Sequence, residues 1–352
     1  MTGGISKFDF DELIHPNVLE AGDSVAIFSP SFSGASNFPA RFRRAVNNLS
    51  HLLDVKIIID QQNYKSTGFT AGSAKERAVT LMNLFENESV KAIFTTIGGY
   101  NSNEILSYLD CQIIRENPKI IIGYSDTTAL LLGIQSIGNL ITFYGPAVLS
   151  QFGEYPQPYG YTIEWLIKCI MQDDQLGEIV DPPYYTAEYA AWGQPEKLTS
   201  RRIHTNPGRS VWNQGEGEGF LFGGNIQTIS YLIGTKFIAI PDNVVFFWEA
   251  THEISNLPKL RRALFHLEQI GLFEKTSAML IGKYGWAENK MNENLDKLIS
   301  EVTFNYDFPI IGDLPFGHTD PMITLPIGVK VKVTADSVNE TMIEISKSGV
   351  KR

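Results

Sequence analysis

Ser125 stands in Ile122-Gly123-Tyr124-Ser125-Asp126, where the apolar run Lys119–Gly123 turns abruptly into a helical pattern beginning at Thr127. A serine on such a turn projects its hydroxyl at the sheet edge, with a helix N-terminus aimed at whatever it attacks. The Asp126 amide would then face a developing oxyanion, and Gly98-Gly99 at the neighbouring strand end could bring a second donor close. The same position suits a helix N-cap, the commoner use of serine where a strand becomes a helix. Thr127 occupies the place of the last glycine in a G-x-S-x-G elbow, which argues against an ordinary α/β-hydrolase.

A nucleophilic serine needs a base and a group to orient it. His51 and His266 fall inside amphipathic helical patterns, His15 lies in the N-terminal approach and His204 in an irregular region. His318 differs: Leu314-Pro315-Phe316-Gly317-His318-Thr319-Asp320-Pro321 follows a strand and is fenced by prolines, a rigid mount for an imidazole. Glu249 ends the apolar strand Val245-Phe246-Phe247-Trp248, where a half-buried carboxylate is costly without a partner. That partner is either His318 or an arginine, with Arg261 and Arg262 as candidates. Glu249-x-x-His252 has metal-like spacing, but no third ligand joins it, so no metal is expected.

The elements that must carry these residues alternate. Val25–Ser29, Lys56–Asp60, Val90–Ile97, Lys119–Gly123 and Ile141–Tyr144 are apolar runs of strand length. Helical spacing fills the gaps at Phe38–Leu53, Ala74–Phe85, Ser102–Leu109 and Thr127–Ile137. The pattern predicts an α/β fold with a parallel sheet covered on both faces and sites at the carboxyl ends of its strands. Periodicity lapses over 151–214 apart from a helix at Tyr161–Met171. A second αβ series follows: strand Gly219–Phe222, helix Ile226–Ile233, strand Val244–Trp248, helix Leu257–Ile270, strand Ala278–Gly282, helix Glu293–Phe304 and strand Pro309–Ile311. A β region from Ile323 to Ile345 closes it. The chain thus divides into a nucleophile domain over 1–165, a linker and substrate loop over 166–214, and a domain over 215–352 bearing Glu249 and His318. The reactive groups would meet in the cleft between domains.

Bulk properties narrow the partners. Hydrophobic residues at 43% and charged residues at 19% predict packed globular domains. A formal charge of −10 with no basic stripe argues against a nucleic-acid polymer. The N-terminus lacks an apolar run of signal-peptide length, and no stretch is apolar enough to span a membrane. Cys111 and Cys169 match no metal spacing and suit a reducing compartment, so a cytoplasmic location is expected.

Several segments together resemble the serine peptidases that include the LD-carboxypeptidases of murein recycling and the microcin C self-immunity proteins. They are Thr96-Ile97-Gly98-Gly99-Tyr100-Asn101-Ser102-Asn103, Pro118 through Leu131, Thr142-Phe143-Tyr144-Gly145-Pro146-Ala147, Gly223-Gly224-Asn225, and His318 through Gly328. The resemblance implies a Ser125-Glu249-His318 triad, an oxyanion hole from the Gly99 and Asp126 amides, and no metal or organic cofactor. It also implies a Rossmann-like N-terminal domain, a smaller C-terminal αβ domain and a homodimer. Gly98, Tyr100 and Asn101 become candidate substrate contacts. Asp126-Thr127-Thr128-Ala129-Leu130-Leu131 and the long middle segment are more similar to the self-immunity branch, whose members hold a nucleobase with an aromatic side chain. Trp192 or Trp212 would fill that role here, although packing at the domain interface is the more usual use of tryptophan. Ala250 follows Glu249 where the family often has an acidic residue. The substrate expected is a peptidyl- or aminoacyl-nucleotide, with a murein tetrapeptide losing its terminal D-alanine as the alternative, and a non-catalytic ligand-binding protein as the reading of another class.

Overall fold

The computed structural model describes residues 8–188, 192–193, 198–250, 257–284, 289–337 and 340–352. Two sheets organise the chain. The first has six strands in the order Leu325–Ile327, Thr142–Tyr144, Ile120–Gly123, Val90–Thr95, Ser24–Phe28 and Lys56–Ile59. Five are parallel, and Leu325–Ile327 joins antiparallel at the edge beside Thr142–Tyr144. Val90–Thr95 and Ile120–Gly123 are buried almost throughout, which is why they read as continuous apolar runs rather than alternating ones.

The second sheet has eight strands. Its parallel centre is Gly215–Asn225, Val244–Glu249, Thr276–Gly282 and Ile310–Leu314. Antiparallel strands flank it: Lys330–Ser337, Glu340–Ile345 and Gly177–Glu178 on one side, Ser210–Asn213 on the other. Segment 166–214 therefore supplies strands to the second sheet, and 215–352 returns one strand to the first.

Three elements depart from the sequence expectation for identifiable reasons. The strand expected at Gly219–Phe222 starts at Gly215, because Gly215-Glu216-Gly217-Glu218-Gly219 alternates glycine with glutamate instead of apolar with polar. Side chains at Gly217 and Gly219 would run into the Ser277 and Asn243 carbonyls, so the strand is built on a face that hydrophobicity cannot reveal. Ser102–Tyr108 is a 3-10 helix rather than an α-helix. Cys111–Glu116 forms an unpredicted α-helix, capped by the Asp110 carboxylate and burying only Ile114.

The helix after Ser125, Thr128–Gly138, joins the two halves. It is apolar nearly all round, as expected of a helix covered on every side. Leu130, Leu131 and Ile134 are fully buried, each contributing about 1.5–3 kcal/mol relative to exposure. Its polar atoms face the other half: Gln135 Nε2 donates to the Ile327 carbonyl at 2.9 Å, and Thr128 Oγ1 accepts from the Asn225 amide at 3.0 Å. The packing that stabilises the fold thus also sets the spacing between the halves.

Candidate functional site

Ser125 follows the buried strand Ile120–Gly123 and has φ 61, one of the few non-glycine residues with a left-handed backbone. Such a conformation costs about 1–2 kcal/mol. No side chain caps the 3-10 turn Ser125–Thr127 or the helix behind it, so the Ser125 hydroxyl is not spent on an N-cap. It lies instead 3.1 Å from His318 Nε2. The strain can be tested without reference to activity. Ser125→Gly should exceed Ser125→Ala in stability by about 1 kcal/mol, measured by denaturant unfolding, since both lose the hydroxyl and only glycine relieves the backbone.

His318 Nδ1 lies 2.5 Å from Glu249 Oε2. Glu249, the last residue of its strand, is 1% exposed. Its other oxygen accepts from the Tyr144 hydroxyl at 2.8 Å and from Asn225 Nδ2 at 2.9 Å. Burial pushes the Glu249 carboxyl upward, but the adjacent His318 and these donors outweigh it and hold it below the usual range. Arg261, a candidate partner in sequence, pairs with Glu301 at 2.5 Å instead. Gly317, at φ 99, has no room for a side chain: an added Cβ would stand 2.7 Å from that of Glu249.

Tyr144 reaches this cluster from the first sheet, and its phenol is pushed well above the ordinary value by burial and then by the Glu249 charge. The phenol thus ties the first sheet to the carboxylate that faces His318. Asn225 sits opposite Glu249 in the parallel register and caps the helix Ile226–Leu232 through the Thr228 amide. Neither residue stood out in sequence beyond the motifs that contain them. Their signal is a polar side chain at the carboxyl end of a buried strand.

The Asp126 carboxylate accepts from the Asn101 and Ser102 amides, each at 3.0 Å, and from Ser102 Oγ at 2.7 Å. This pins the Gly98–Ser102 turn to the serine turn. The backbone at Gly98 approaches so closely that a Cβ there would lie 3.0 Å from the Asp126 nitrogen. Ser31 Oγ holds the Tyr100 and Asn101 amides at 3.1 and 2.9 Å.

Ser125, Asp126 and His318 border a cavity of about 770 Å³ that takes residues from both halves. Gly98, Gly99, Tyr100 and Trp192 also line it. Tyr100 and Tyr231 are 69% and 64% exposed and place two rings at its wall. The Arg41 guanidinium lies 4.4 Å over the Trp192 ring, which Phe38 meets edge-on. Two candidate contacts are elsewhere. The Asn101 side chain turns to Glu104 at 2.8 Å. Trp212, on the flanking strand Ser210–Asn213, packs over Gly312 and donates to Asp296 at 2.6 Å; it is not among the cavity's lining residues. Among the described residues no group of three or more His, Cys, Asp or Glu could hold a metal, and His252 lies outside them.

Family models for the LD-carboxypeptidase N-terminal and C-terminal domains match residues 25–145 and 218–333. The chain belongs to the LD-carboxypeptidase family. Membership makes it a peptidase-type hydrolase by descent, and both LD-carboxypeptidase halves are represented. It is 32% identical over 330 residues to the microcin C7 self-immunity protein MccF of Escherichia coli, covering 93% of this chain and 94% of that one. It is 25% identical over 342 residues, 96% and 97% of the two chains, to a Bacillus subtilis protein named "Probable murein peptide carboxypeptidase". The solved structure of MccF in complex with aspartyl sulfamoyl adenosine superposes with a TM-score of 0.86 at 30% identity, over 96% of this LD-carboxypeptidase family member and all of that chain. The fold is thus that of the self-immunity proteins. No helix among the described residues is long and apolar enough to cross a membrane.

Proposed function

We propose that this chain is a serine-type hydrolase in which Ser125, His318 and Glu249 form a catalytic triad, and that it cleaves the amide joining an aminoacyl or peptidyl group to a nucleotide-like moiety. The observation that carries the reading is the unbroken path of hydrogen bonds from Ser125 Oγ through both nitrogens of His318 to Glu249, at the wall of a cavity that also contains Trp192.

In the first step His318 Nε2 takes the Ser125 proton as the alkoxide attacks the carbonyl carbon. The oxyanion that forms is held by the Gly99 and Asp126 amides, and Glu249 stabilises the imidazolium. His318 then gives its proton to the departing nitrogen. In the second step it takes a proton from water, hydroxide adds to the acyl-enzyme, and Ser125 recovers its proton as the acid leaves. The likeness to MccF, solved with aspartyl sulfamoyl adenosine, supports the substrate class.

Incubation with aspartyl sulfamoyl adenosine and, separately, with a murein tetrapeptide tests the reading by mass spectrometry. Release of aspartate from the first is the expected result. Loss of D-alanine from the second alone would replace the substrate class, and turnover of neither would point to a binding protein. Trp192→Ala should raise KM for the nucleotide substrate by roughly tenfold, in keeping with about 1–3 kcal/mol for a base–aromatic stack. Steady-state kinetics showing an unchanged KM would remove Trp192 from the site.

A further inference from the structure

We propose that Arg201, in the middle segment, is a positioning residue for His318 and makes that segment a brace for the general base. The inference rests on the triad reading above and extends it to a residue outside the triad.

Asp320 lies two residues beyond His318 and is 6% exposed. Arg201 Nη2 meets its Oδ2 at 2.7 Å. The same guanidinium meets Glu154 through Nη2 at 2.8 Å and Nε at 3.1 Å, and its Nη1 donates to the Glu188 carbonyl at 3.2 Å. Glu154 is 3% exposed and belongs to the first half of the chain. A single planar fork therefore bridges two buried carboxylates, one from each side of the cavity, a task a lysine ammonium cannot match. Burial works against the charge on Arg201, but Asp320 and Glu154 outweigh it and raise its proton affinity above the ordinary guanidinium value.

The rest of the Asp320 environment points the same way. Its Oδ1 accepts from Gln151 Nε2 at 3.0 Å. Its amide donates to the Thr186 carbonyl at 2.9 Å, and the Thr186 amide donates back to the Asp320 carbonyl at 2.6 Å. The His318 loop is thus gripped by the first half through Gln151 and by the middle segment through Thr186 and Arg201. Glu154 has a second cation nearby, Arg41 at 3.8 Å, whereas among the described residues Arg201 is the ion-pair partner of Asp320. Arg201 also lines the cavity, so a contact with substrate is the rival role that the test separates from holding the loop.

The test uses Arg201→Lys, Arg201→Met and Asp320→Asn in the full chain, with two readouts. In steady-state assays kcat should fall by up to about 100-fold, the cost of a small misplacement of a catalytic group, while KM stays near wild type. In the free protein, proton NMR should detect the downfield Nδ1 proton of His318 in its 2.5 Å contact with Glu249, assigned by its loss in His318→Gln. Arg201 variants should broaden or shift that resonance. Arg201→Met with Asp320→Asn should be no worse than the more damaged single variant, because the two side chains act as a unit. Raised KM with unchanged kcat and resonance would make Arg201 a substrate contact and overturn the proposal, as would wild-type behaviour in both readouts. If Arg201→Met does not fold, Arg201→Lys decides by the same measures. The resonance needs no substrate, so a wild type that hydrolyses nothing would sink the hydrolase reading and leave this one to stand or fall on NMR.

Discussion

Replacing Ser125 with alanine should lower kcat by about 10⁴- to 10⁶-fold, the scale seen when the nucleophile of a triad is removed. The fold should survive, because alanine keeps the Cβ and the hydroxyl is not a helix cap. Among the described residues its hydrogen-bond partner is His318 Nε2. Single-turnover assays would show no acyl-enzyme, while ligand should still bind the cavity, since Gly98, Tyr100 and Trp192 are untouched. Activity within tenfold of wild type would remove Ser125 from the chemistry.

Glu249→Gln should be almost as damaging, by about 10⁴-fold in kcat. The amide can still accept from Tyr144 and Asn225, but its NH₂ would face His318 Nδ1 and favour the tautomer with a proton on Nε2. That tautomer cannot take the serine proton. The same variant carries a stability signature with a definite sign. Glu249 is held below its ordinary range in the folded protein, so its contribution is fully present above the unfolded-state value of about 4.3 and is lost as pH falls through the lower folded value. The stability advantage of wild type over Glu249→Gln, measured by urea unfolding, should therefore narrow below about pH 4. An advantage that grows continuously in acid would mean Glu249 is not ionised in the native state.

Much of this was legible in the sequence for physical reasons. Strands buried on both faces read as near-continuous apolar runs, and Val90–Thr95, Ile120–Gly123 and Val244–Glu249 do, Lys91 and the strand-end Thr95 and Glu249 apart. Ser125, Glu249 and His318 stand out in the sequence because each sits at the end of such a strand or on a rigid turn. What escaped depends on partners remote along the chain. Tyr144 meets Glu249 across 105 residues and Arg201 meets Asp320 across 119, so no local pattern announces either pair. The two tryptophans had equal standing in sequence. Only the flanking strand Ser210–Asn213, with its register against Ile310–Leu314, carries Trp212 away from the cavity. The helix at Cys111–Glu116 escaped because one buried side chain gives no periodicity to detect.

The strand Leu325–Ile327, returned from far along the chain to the edge of the first sheet beside Thr142–Tyr144, has a consequence for biosynthesis. During translation at about 5–20 residues per second, the edge at Thr142–Tyr144 waits roughly 10–40 s for its partner. Over that interval the nascent chain presents an unpaired strand, a template for association with other chains. The serine turn and the histidine loop meet only after the same delay. A ribosome-bound fragment ending before His318 therefore carries an exposed strand edge and lacks the loop that brings His318 to Ser125.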